Sequence, residues 1–172
     1  MAEKLTLAEL NGLSSPDFIR IVGPVFEHSP WIAEATAGQR PFASFSELHR
    51  ALCEAVNNSG QEKQLVLIRA HPDLVGKLAL AGQLTRESTN EQASVGLTQL
   101  TPGEVALFQK QNAAYKKKFG FPFVICARLN KKEAIIAGFE QRLKNSSAQE
   151  IKTALEEIFK IAELRLKDLI TH

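Results

Sequence analysis

Apolar residues recur along this chain at three- and four-residue steps, the spacing that lines one face of a helix. From Ala148 to Ile170 they fall at Ile151, Leu155, Ile158, Phe159, Ala162, Leu166 and Leu169, with charged residues between. One long amphipathic helix is predicted there. Pro102 to Phe119 repeats the spacing less cleanly through Val105, Phe108, Ala113 and Tyr115. Gln61 to Ala70 carries a dense block, Leu65-Val66-Leu67-Ile68, which suits a strand or a fully buried helix. Helix is favoured, because its neighbours are helices and no partner strand is evident. The run Phe121 to Ala127, FPFVICA, opposes helix through Pro122 and is expected to pass extended through the core.

The punctuation between these segments is helical too. Ser15-Pro16-Asp17 and Ser29-Pro30 read as a cap followed by proline at the first helical position. Ser44/Glu47, Thr101/Glu104, Asn130/Glu133 and Ser147/Glu150 have the spacing of capping boxes. Gly60, Gly82, Gly120 and Asn145 read as helix ends or turns. No internal repeat, low-complexity stretch or long linker divides the chain. The expectation is one all-α domain over residues 1–172, with about eight or nine helices.

Composition narrows the function classes. Of 172 residues, 44% are apolar and 23% charged, which excludes disorder for most of the length. Lys and Arg number 21 against 19 acids, too even a balance to point to nucleic acid or an anionic membrane. The run Lys116-Lys117-Lys118 is explained by a helix C-terminus, whose dipole favours cations. Cys53 and Cys126 stand far apart in apolar surroundings and read as free buried thiols. No signal peptide, membrane span or peroxisomal tripeptide is recognisable, so the expected location is cytoplasmic.

Candidate chemistry concentrates between Arg69 and Gln92, RAHPDLVGKLALAGQLTRESTNEQ. His71 precedes Pro72, which biases its backbone to extended geometry and ends the apolar segment before it. Such a histidine is either a core residue bonded to a backbone carbonyl or an acid/base group facing a cavity. Asp73 reads as a turn or cap residue. Ser88 to Gln92 is expected to begin a helix that continues through Val95 and Leu97. Ser88 and Glu91 have cap spacing, yet Ser88, Glu91 and Gln92 would also share one face, offering hydroxyl, carboxylate and amide together. FPFVICA brings no acid/base side chain beyond a thiol, but unpaired backbone there could read the edge of a planar, amide-rich ligand. Arg165 interrupts the last helix, either solvated or gripping a carboxylate. His28, His49 and His172 lack metal-type spacing. Nucleotide and nucleophile-elbow motifs are absent.

HPDL at His71–Leu74, SxxEQ at Ser88–Gln92 and FGFPFVICAR at Phe119–Arg128 together resemble 2-oxo-4-hydroxy-4-carboxy-5-ureidoimidazoline (OHCU) decarboxylases. The likeness runs from LNGLSSPDF to IAELRLKDL. It implies an all-α homodimer without cofactor or metal that converts OHCU to (S)-allantoin at the end of urate breakdown. It implies His71 as catalytic acid/base and Glu91 as its partner. Pro72, Ser88, Thr89, Asn90, Glu91 and Gln92 would line the substrate pocket. Phe123, Val124, Ile125, Cys126 and Ala127 would contact the ligand amides, largely through backbone, and Arg165 would face the ligand. Read from the residues alone, two rivals stay open: a non-catalytic helical module for a ureide or protein partner, and a cofactor-free cyclic amide hydrolase.

Overall fold

A computed structural model of the chain describes residues 3–172, with every side chain among them except that of Leu78. The all-α expectation holds. The helices are α1 (Leu7–Gly12), α2 (Ser15–Val22), α3 (Trp31–Ala37), α4 (Phe45–Asn57), α5 (Gln61–Arg69), α6 (Lys77–Leu80), α7 (Arg86–Ser94), α8 (Pro102–Phe119), α9 (Lys132–Arg142) and α10 (Ser147–Leu169). Single 3-10 turns stand at Gly23–Val25 and Ala127–Leu129. Strand-type pairing among the described residues is one isolated parallel bridge, Leu5 to Ile170. No helix among the described residues is long and apolar enough to cross a membrane.

The caps follow the expected chemistry, at shifted positions. Thr101 and Glu104 form both halves of a capping box at α8. Ser44 caps α4 by accepting from the Glu47 N–H at 3.1 Å. At α2 the cap is Ser14 rather than Ser15. At α10 the reciprocal pair is Ser146 and Gln149, one residue before the expected one. Ser29 caps nothing with its side chain; its hydroxyl donates to the Glu27 carbonyl at 2.8 Å. Asn130 fails as a cap because its amide donates backward, to the Cys126 carbonyl at 2.9 Å. Helix α7 stops at Ser94, short of the expected Val95 and Leu97. Gly96, at φ 76°, turns the chain left-handed, so that Gly96 N–H meets the Ala93 carbonyl and Leu97 N–H the Gln92 carbonyl, a Schellman ending.

The chain forms two compact units, one of residues up to Leu67 with Phe159–His172, the other Ile68–Ile158. The first has a core of Leu10, Phe18, Ile32, Leu48 and Leu52, each fully buried. Its loop at Phe42 is tied by Asn11, whose amide both donates to the Phe42 carbonyl and accepts its N–H, each at 2.9 Å. Arg165 and Glu27 form a buried ion pair at 3.0 Å in this unit.

The second unit is built on aromatic rings. Phe123 stacks on Phe139 at 3.9 Å between centroids, and Tyr115 meets Phe123 edge-on at 5.3 Å. The buried face of α8 is Phe108, Asn112, Tyr115 and Phe119, while Ala113, expected on it, is exposed. Beside the rings lies a charged knot. The Glu150 carboxylate accepts from Arg142 Nε at 2.7 Å, from the Tyr115 hydroxyl at 2.5 Å and from Asn145 Nδ2 at 3.0 Å. Glu150 is wholly buried and the Arg142 side chain nearly so. Burial, then the bond to Glu150, pushes the Tyr115 hydroxyl above its ordinary pKa, so it stays a proton donor. Arg142 reaches on to the Val124 carbonyl at 2.6 Å and lies over the Phe123 ring at 4.2 Å.

Removing one partner of such a pair strands the other charge in the core. Glu150→Ala is therefore expected to lower unfolding free energy by about 3–5 kcal/mol, read from urea denaturation. A loss within ordinary surface-mutation scatter would show the knot to be energetically idle.

Candidate active site

The first wall of the site is the loop that follows α5. Pro72 blocks further helix, and His71 N–H closes the end by donating to the Ile68 carbonyl at 3.2 Å. His71 is buried, at 8% exposure. The chain then folds back on itself between Asp73 and Gly76. A Cβ at position 76 would stand 2.7 Å from the Asp73 Cβ and 3.3 Å from its carbonyl oxygen, so the approach needs glycine. Val75 sits at φ 55°, strained backbone for a β-branched residue, with its side chain buried.

Side chains from two helices hold this strained turn. Gln92 Oε1 accepts the Val75 N–H at 3.1 Å, and Gln92 Nε2 reaches the Asp73 carbonyl at 3.5 Å. Asn112 Nδ2 donates to the Leu74 carbonyl at 2.8 Å. Lys116 Nζ pairs with Asp73 Oδ2 at 3.0 Å. Asp73 is thus a turn residue, and the residue before α6 is Gly76, not Asp73.

The second wall is α7. Its cap is Thr85, which accepts from the Ser88 N–H at 3.3 Å. Ser88 therefore lies inside the helix instead of capping it, and the one-face reading of Ser88, Glu91 and Gln92 prevails. Ser88 and Gln92 are buried and Glu91 is half-buried. Thr89 and Asn90 are exposed, and the Thr89 hydroxyl donates to the Thr85 carbonyl at 2.9 Å.

The third wall is FPFVICA, which runs outside any helix as far as Cys126 and enters the 3-10 turn at Ala127; it is buried except at half-buried Ile125. Side chains satisfy part of its backbone. Arg142 takes the Val124 carbonyl, Glu157 Oε2 accepts the Cys126 N–H at 3.1 Å, and Asn130 takes the Cys126 carbonyl. Among the described residues, the N–H and C=O groups of Phe123 and Ile125 enter no hydrogen bond. Two peptide edges in a buried segment thus remain available to a ligand.

Helix α7 joins the three walls. Through Gln92 it holds the His71 loop. It also packs on the Ala127–Leu129 turn at the end of FPFVICA. Burial, then the Glu157 carboxylate, pushes the Cys126 thiol up to about 11, and the Glu91 charge adds to that push. Glu91 thus acts on the third wall while its neighbour Gln92 holds the first. Where α7 ends, an open depression of about 540 Å³ lies between Ser94–Gly96 and Arg128–Glu133. None of the catalytic or substrate-pocket residues expected from the sequence lines it.

Arg165 belongs to the other unit. It is buried, not solvated, and Nη1 is engaged by Glu27 Oε2 and by the Pro24 carbonyl at 3.2 Å. Sequence reasoning missed Glu27, Asn112, Lys116, Arg142 and Glu157. Asn112 was findable, because it occupies an apolar-face position between Phe108 and Tyr115. Glu27 and Glu157 carry no such local signal. No group of three His, Cys, Asp or Glu suited to a metal occurs among the described residues.

A family model described as OHCU decarboxylase matches residues 11–167. The 2-oxo-4-hydroxy-4-carboxy-5-ureidoimidazoline decarboxylase of Haloferax volcanii is 42% identical over 96% of this chain and 96% of its own. The protein of the same name from Amia calva is also 42% identical, over 96% of this chain and 95% of its own. A crystal structure of (S)-allantoin synthase superposes with a TM-score of 0.78 at 29% identity. It covers 96% of this chain, which spans 54% of that one.

Both thiols are free, and burial raises each, Cys53 to about 12 with help from Glu163. Native protein at pH 8 is expected to resist iodoacetamide at Cys53 and Cys126, because thiolate is the reacting form. Peptide mass mapping should find both labelled only after unfolding. Rapid native labelling at Cys126 would contradict its burial.

Proposed function

This chain belongs to the OHCU decarboxylase family, and we propose that it converts OHCU to (S)-allantoin and CO2 without a cofactor, as the closing step of urate breakdown to allantoin. The observation that carries the reading is the junction at α7, where one helix holds the His71 loop through Gln92 and packs beside FPFVICA. The proposal treats residues 1–172 as one functional domain. It includes assembly as a homodimer, implied by the family resemblance, and the cytoplasmic location expected from the sequence.

The chemistry needs an acceptor for two electrons, and the substrate holds one. The carboxylate leaves a ring carbon that also bears a hydroxyl, next to a C=N bond. As the C–C bond breaks, its pair forms a double bond to the neighbouring carbon, and the C=N pair moves to nitrogen, which takes a proton. The resulting enol loses its hydroxyl proton to become C=O. The neighbouring carbon gains a proton on one face, and that face sets the (S) configuration.

The protein's part is then proton handling and positioning. His71, held by a rigid loop, serves as the acid/base. Glu91, half-buried beside FPFVICA, orients it or takes the substrate hydroxyl proton. Pro72, Ser88 and Gln92 form the polar wall, with exposed Thr89 and Asn90 on its solvent side. The open peptide edges of Phe123 and Ile125 suit the donors and acceptors of a ureido group and a cyclic amide. The remaining backbone groups of Val124, Cys126 and Ala127 complete that edge.

The decisive measurement is CO2 release from OHCU generated freshly from urate, with circular dichroism of the allantoin formed. His71→Asn is expected to lower kcat by about 10²–10⁴-fold. Glu91→Gln should fold normally and lose most turnover. Binding of the ureide without CO2 release, or ring hydrolysis without it, would overturn the decarboxylase reading. Wild-type rate and handedness in His71→Asn would remove that residue from its role.

A further inference from the structure

We infer that Asn112 is a positioning residue for catalysis: its side-chain amide fixes the Leu74 carbonyl and thereby sets where His71 stands. The inference rests on the decarboxylase reading and deepens it. Asn112 does not belong to HPDL, SxxEQ or FPFVICA.

Its place in the fold asks for an apolar residue. Asn112 stands on the buried face of α8 between Phe108 and Tyr115 and is itself 4% exposed. A leucine would fill such a position without polar atoms. The amide instead has one bond, Nδ2 to the Leu74 carbonyl at 2.8 Å. Its Oδ1 is buried with no hydrogen-bond partner among the described residues. A buried polar group that satisfies only half of its capacity needs a reason to be there. The bond to Leu74 is the one the structure offers.

That bond acts on a strained segment. Asp73 C=O, Leu74 C=O and Val75 N–H belong to two consecutive peptide units, and each is held by a side-chain amide, Gln92 at the first and third and Asn112 at the second. Val75 lies at φ 55°. A β-branched residue keeps that conformation only where its surroundings over-determine it. The Lys116–Asp73 pair cannot replace the amide, because the Lys116 side chain is half exposed and water screens it. Gln92 Nε2 reaches the Asp73 carbonyl only at 3.5 Å, so the Asn112 bond is the short one on this side of the turn. With it gone, Val75 can relax toward negative φ. Pro72 is stiff, so the movement carries through to His71.

A purely structural asparagine and a positioning one predict different things. Asn112→Leu removes the unpartnered Oδ1 but leaves the Leu74 carbonyl without its donor, so a modest loss of stability is expected and is measured separately from turnover. Turnover should still fall. The expected result is a kcat drop of about 10- to 100-fold with KM changed by less than about threefold. The allantoin should also lose enantiomeric purity, because the intermediate no longer meets its proton donor on one face. Asn112→Ala removes the amide donor without adding a charge and should lower turnover alike, at some further cost in stability for the cavity it leaves. If the leucine variant does not fold, Asn112→Ala and Asn112→Ser carry the same readouts.

Full kcat in a folded variant overturns the inference. So does a loss that vanishes once activity is normalised to the folded fraction, or a rise in KM alone. A crystal structure of Asn112→Leu with Leu74 and His71 unmoved overturns it independently of any assay. Absence of CO2 release by the unsubstituted protein overturns the decarboxylase reading instead, and is read in the same experiment.

Discussion

A buried length of backbone with no neighbouring strand must find its hydrogen bonds in side chains, and the second unit is arranged around that constraint. FPFVICA crosses the interior as an extended segment, and among the described residues no strand runs beside it. Arg142, Glu157 and Asn130 come to it from α9, from α10 and from the end of the Ala127–Leu129 turn. Arg142 can be buried because Glu150 neutralises it, and Glu150 can be buried because Arg142, Tyr115 and Asn145 each donate to it. The knot would be costly as an isolated ion pair. As the support of an irregular segment it has a physical reason.

The same rule operates on the His71 loop. A turn too tight for a side chain at position 76, with Val75 left-handed, exposes consecutive peptide groups to the interior. Gln92 and Asn112 answer them from α7 and α8. Both walls are therefore irregular backbone held by side chains, rather than by a hydrogen-bonded ladder. That gives rigid geometry while leaving selected peptide groups open, at Phe123 and Ile125. Helices alone could not leave such edges, since they consume their own backbone donors and acceptors.

Much of this was legible from spacing. The long helix α10, the bounds of α8 and the extended FPFVICA all follow from apolar period and proline. Where the reading slipped, it slipped on polar residues whose types serve two purposes. Glu150 has cap spacing from Ser147, yet it lies one residue past the true Ser146/Gln149 pair and points into the core. Asn130 has a capping residue's chemistry, but a carbonyl behind it was the nearer partner. Ala113 matched an apolar step that Asn112 in fact occupies. Arg165 read as either solvated or gripping a carboxylate, and the carboxylate it grips is that of Glu27, 138 positions away. At Glu150 and Arg165 the local neighbours said little, because a partner distant in the chain decided where the side chain went.

By itself, then, the sequence determined the helices, the breaks between them and the three motifs that identify the family, because these depend on local periodicity and on residues whose backbone preferences are intrinsic. Tertiary structure alone decided which polar groups are buried and what they hold. It put Gln92 and Asn112 on the His71 loop and Arg142 on FPFVICA. Those pairings join residues far apart in the chain, and no local propensity encodes them. They arise because buried peptide groups left outside a helix are answered by whatever donor or acceptor the packing brings within reach, and stay open, as at Phe123 and Ile125, where it brings none.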